Sequence, residues 1–77
     1  MNRLIEMTKI EKTSRVWEQY SKEPLNIEEI SGTMYAFGSE LACLRLYHEF
    51  SKAVKNDRIK CEYSVNRKSH FFRLEPL

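Results

Sequence analysis

Apolar positions along this chain change their spacing at one place, and the fold can be read outward from there. No residue from Ile30 to Ser39 is charged. Thr33, Met34, Tyr35, Ala36 and Phe37 favour extended backbone, in which side chains alternate. Met34 and Ala36 therefore point one way and Tyr35 and Phe37 the other. Both faces are apolar, the pattern of a strand covered on both sides. Gly38 frees the backbone to turn, Ser39 is suited to cap a helix, and Glu40 suits the positive end of its dipole. At about 100° per residue, Ala42, Cys43, Leu46, Tyr47, Phe50, Ala53 and Val54 then gather on one side of that helix. Arg45, His48, Glu49 and Lys52 lie opposite, with Leu41 and Leu44 toward the flank. Asn56-Asp57 is the expected stop.

The flanking segments are read less directly. Leu4, Ile5, Met7 and Ile10 fit neither period, so residues 1–12 are open between loosely ordered chain, an extra strand and a short helix. Thr13-Ser14 suits a turn, and Arg15 to Ser21, with Val16, Trp17 and Tyr20, predicts a strand. Pro24-Leu25-Asn26 breaks the chain, Ile27 to Ile30 leads into the central strand, and Gly32 suits a bulge. Beyond the helix, Ile59, Cys61, Tyr63 and Val65 alternate with polar residues. Asn66 to Ser69 is a polar turn, and His70, Phe72 and Leu74 alternate on the returning strand. That loop would set Tyr63 opposite Phe72 and Cys61 opposite Leu74. The expectation is an α+β fold: one antiparallel sheet of about four strands in the order ββαββ, with one amphipathic helix packed on one face.

Length narrows this to one small domain over residues 1–77. Below about 80 residues a core leaves only a few kcal/mol of net stability, which favours self-association. A hydrophobic content of 42% and nine aromatic residues argue for a folded chain. The net charge of +2 is too small to diagnose a nucleic-acid binder. Residues 1–38 carry five basic and six acidic groups, and residues 39–77 carry eight and five. No apolar run is long enough to span a bilayer, and the first residues lack the apolar core of a secretion signal. The chain is expected to be cytoplasmic, with Cys43 and Cys61 as reduced thiols.

Candidate chemistry is sparse. Zinc needs four converging ligands, yet Cys43 and His48 stand about 140° apart on the helix, and no paired CxxC or HxxxH spacing exists. No metal or cofactor is expected. Ser39 at a strand-to-helix corner lacks the G-x-S-x-G pattern of a nucleophile elbow, and its hydroxyl is needed as a cap. Anion binding by the free amides of that corner is opposed by Glu40. A thiol–imidazole pair would need a cysteine off the core side. The chain is therefore read as non-enzymatic.

One packing problem remains. A single helix covers only one face of a sheet, whereas the central strand is apolar on both. Tyr35 and Phe37, with Trp17 and Phe71 as candidate neighbours, need a second cover from the first ten residues or from another molecule. The expected function is a small interaction module that self-associates, or binds another protein, through an aromatic sheet face made of Trp17, Tyr35, Phe37 and Phe71. Its edge strands would be available for pairing across a two-fold axis. The alternative is a nucleic-acid binder using Arg45, His48 and Lys52 on the outer helix face and Arg67, Lys68 and Arg73 on the hairpin, with Phe71 stacking on a base. Interleaved Glu49, Asp57, Glu62 and Glu75 weigh against it.

Overall fold

A computed structural model describes residues 8–54 and 58–75. Two helices and four strands follow in the order α1 (Lys9–Ser21), β1 (Asn26–Ile30), β2 (Thr33–Gly38), α2 (Glu40–Phe50), β3 (Ile59–Ser64) and β4 (Ser69–Leu74). The strands form one antiparallel sheet in the order β1-β2-β4-β3. This is the expected α+β class, but the order is αββαββ and there are two helices.

The segment expected as a strand over Arg15–Ser21 is the second half of α1. Its N-terminus is fixed by a capping box: Thr8 Oγ1 accepts from the Glu11 amide at 3.1 Å, and the Glu11 carboxylate accepts from the Thr8 amide at 2.9 Å. Lys22, in the left-handed region at φ 64°, ends the helix. Its inward stripe is Thr13, Ser14, Trp17 and Ser21, spaced three and four apart, whereas Val16 and Tyr20 face solvent. A stripe with one large apolar residue leaves almost no hydrophobic period to read. Of residues 1–12, Thr8 to Lys12 open this helix; residues 1–7 lie outside the described residues.

Ile27 to Ile30 does not merely lead into the central strand. It is β1, paired with β2 from Asn26 opposite Phe37 to Ile30 opposite Thr33. The connecting Ser31 and Gly32 both have positive φ, 52° and 81°. That is the two-residue hairpin turn whose twist matches its strands, so Gly32 is a turn residue and not a bulge. Gly38 ends β2 beside Leu25, where an added Cβ would fall 2.6 Å from Leu25 Cδ2. Ser39 then caps α2, accepting from the Ala42 amide at 3.1 Å. The helix stops at Phe50, before Asn56-Asp57, which lies outside the described residues.

β2, α2 and β3 form a crossover whose two strands are separated by β4. The β3–β4 register sets Ile59 opposite Leu74, Cys61 opposite Phe72 and Tyr63 opposite His70, with the turn at residues 65–68. This is two residues from the expected pairing. Because strand faces repeat every two residues, every side chain keeps its expected face. Both helices pack on one face of the sheet. Trp17, Met34, Ala36, Cys43, Leu46, Ile59 and Phe72 close the core there, with Trp17 edge-on to Phe72 at 5.0 Å. Ala36 and Ala42, both without exposed area, let α2 settle close to the sheet, where the Cys43 thiol reaches to 3.8 Å from the Ala36 carbonyl.

Candidate functional site

The face of the sheet turned away from the helices is built from two rows of side chains. One runs Asn26, Phe37, Phe71, Glu62 across β1, β2, β4 and β3, and the next runs Glu28, Tyr35, Arg73, Lys60. Tyr35, Phe37 and Phe71 form a triangle at the middle. Tyr35 and Phe37 are stacked with centroids 5.8 Å apart, and Phe71 is tilted against them at 5.6 and 5.9 Å. Sequence alternation on two neighbouring strands places all three, as expected. Trp17, the fourth residue expected there, is on the other side of the sheet. It belongs to α1 and is 3% exposed in the core, so it is removed from the candidate surface.

Arg67 joins this face from the β3–β4 turn. Its guanidinium carbon lies 4.4 Å from the centre of the Phe37 ring, and its two terminal nitrogens donate to the Glu28 carboxylate at 2.6 and 2.9 Å. The planar fork thus stacks and pairs at once, which a lysine could not do. Hydrogen bonding to Arg67 holds the Glu28 carboxyl below its ordinary range and raises that of Arg67. Phe37 is left 9% exposed, whereas Tyr35 and Phe71 are half-buried. The remaining charges are also paired: Arg73 with Glu75 at 2.9 Å and Lys60 with Glu62 at 3.3 Å. An aromatic centre with a charged rim is the composition of a protein contact surface. That Arg67 belongs to it was hidden, because 39 residues separate it from Glu28.

The six basic residues considered for nucleic acid do not make one surface. Arg45 is used within the fold, donating to the Ser21 carbonyl at 2.9 Å and lying 3.9 Å from Glu23; it ties α2 to the C-terminal end of α1. His48 and Lys52 are exposed at the far end of the same helix layer. Arg67 and Arg73 lie over the opposite face, and Lys68, exposed at φ 53°, sits in the turn between β3 and β4.

Elsewhere, Tyr20, Leu41 and Leu44 are exposed along the outer groove between α1 and α2, beside Arg45 and His48. A cleft of about 480 Å³ opens between α1 and the end of α2, walled by Trp17, Met34, Phe50 and Leu74. Those walls are core side chains, so the cleft is the open end of the core. Among the described residues no cluster of three or more His, Cys, Asp and Glu could hold a metal ion, and no helix is long and apolar enough to cross a membrane. Cys43 is buried and Cys61 half-buried, and neither forms a disulfide. The chain matches no protein-family model, no curated protein and no solved structure.

Proposed function

We propose that the protein is a cytoplasmic, non-enzymatic contact module that pairs with a second copy of itself through the open face of its sheet. The observation that carries this reading is the triangle of Tyr35, Phe37 and Phe71 on the face that neither helix covers. Its rim supports a copy as the partner. Lys60, Arg67 and Arg73 are matched by Glu28, Glu62 and Glu75, so a two-fold rotation can set base against acid, whereas a polyanion would meet as many carboxylates as cations. Strand spacing of about 4.8 Å and a rise of about 3.3 Å per residue give one five-residue and three six-residue strands a footprint of roughly 360 Å² before side-chain relief. A standard interface uses about 800 Å² per partner, so the contact is weak and concentration-dependent.

A dilution series followed by amide NMR tests this. Concentration-dependent shifts at Tyr35, Phe37, Phe71 and their neighbours support it. Shifts confined to Tyr20, Leu41 and Leu44 would move the contact to the helix layer and refute it.

A further inference from the structure

We infer that the cleft between α1 and the end of α2 is a binding site for a free alkyl carboxylate, with the chain inside and the head among the lysines at the mouth. Its volume of about 480 Å³ falls within the ~300–1,000 Å³ range of small-molecule sites. It opens at the end of the sheet where the β1–β2 turn, the start of β3 and the end of β4 meet. Along α1 it is lined by Lys9, Lys12, Thr13, Val16 and Trp17, which share one face at three- and four-residue spacing. Charge therefore stands near the start of the helix and apolar side chains one to two turns further in. Trp17 and Met34 are buried where they line the cleft, Phe50, Val54 and Leu74 are half-buried, and Val16 is exposed. Such an interior has nothing to offer a polar chain and suits a hydrocarbon one.

The rim selects the head group. Lys9, Lys12 and Arg58 line the cleft, with Glu75 as the carboxylate among the described lining residues. Glu29 holds Lys9 at 3.3 Å and Arg73 holds Glu75 at 2.9 Å. With these neighbours included, four cations face two carboxylates. Among the described residues no ion pair engages Lys12. The local excess is positive, so an anionic head is favoured over a neutral or cationic one. One carboxylate suits one unengaged lysine, whereas a bilayer surface would also meet Glu29 and Glu75 and calls for a broader basic field. The cleft lies on the helix-covered side of the sheet, so this site is independent of the proposed contact through the open face.

Trp17 is the chain's one tryptophan, so the full chain reports on the cleft without a label. Dodecanoate, titrated below its micelle concentration, is expected to change Trp17 fluorescence saturably and to shift the amides of Lys9 to Trp17, Phe50 and Val54. From octanoate to dodecanoate the affinity rises roughly fourfold per added methylene until the cleft is full. Lys12→Glu, a change at an exposed residue, weakens dodecanoate roughly fivefold and leaves the binding of dodecanol unchanged. Phe71→Glu alters neither. No saturable change at Trp17, equal binding of dodecyltrimethylammonium, or binding to phosphatidylglycerol vesicles but not to monomeric dodecanoate would overturn the inference. Amide shifts confined to the groove of Tyr20, Leu41 and Leu44 would overturn it as well.

Discussion

Trp17 is the side chain that ties α1 to the core: it meets Phe72 at 5.0 Å and Phe50 at 6.1 Å, and the inward stripe of its helix holds no other large apolar residue. Truncating a buried aromatic to alanine costs about 3–5 kcal/mol, and a domain this small has only a few to lose. Trp17→Ala is therefore expected to leave the chain unfolded by circular dichroism at room temperature, whereas Trp17→Phe remains folded with a lower urea midpoint. Burial of Trp17 was not legible from its neighbours, since Val16 and Tyr20, the residues that made the segment look extended, face solvent. The Glu28–Arg67 pair gives a pH dependence with a definite sign. The folded carboxyl lies below the ordinary value of 4.5, so its contribution is complete above that value and disappears as pH falls through the folded value. Thermal midpoints recorded down that acid range should fall less steeply in Glu28→Gln than in the wild type; parallel curves would show that the pair is not formed in solution.

The elements were legible where a cap or a turn residue states its business and illegible where packing alone decides. Strand β2, the Ser39 cap and α2 follow from Gly38-Ser39-Glu40 and a clear change of period, and the β3–β4 hairpin from alternation, with its register displaced by two residues because several residues of the turn are equally polar. Helix α1 had a readable signal in Thr8-Lys9-Ile10-Glu11, the capping box, which the β-branched and aromatic residues after it outweighed. Two substitutions examine these signals. Thr8→Ala removes the hydroxyl that accepts from the Glu11 amide and is expected to cost about 1 kcal/mol in urea denaturation. Gly32→Ala puts a side chain at φ 81° with open space around it, so its cost, roughly 1–2 kcal/mol, is one of backbone conformation alone. A loss much larger than this would mean that Gly32 is held closely by a neighbour.

For the whole molecule, alternation in the sequence placed three of the four residues assigned to the open face and marked β2 as apolar on both sides. It could not reveal that the missing element, α1, would join α2 on the same face and leave Tyr35, Phe37 and Phe71 beneath no helix. Nor could it show Arg67 folding back over Phe37, since contacts distant in sequence have no period. The rival nucleic-acid reading makes its own expectation: binding of single-stranded oligonucleotides through phosphates would weaken steeply with salt and be lost on reversing Arg67 and Lys68. The balanced, internally paired rim instead leads us to expect no measurable binding even at low salt. Self-association through the sheet face is tested most directly by sedimentation equilibrium over a wide concentration range, with wild type and Phe71→Glu run side by side and circular dichroism confirming that both are folded. The wild type should pass from monomer to dimer as concentration rises while Phe71→Glu stays monomeric. A wild type that remains monomeric throughout, or a dimer that Phe71→Glu leaves unchanged, would contradict the assignment of this face.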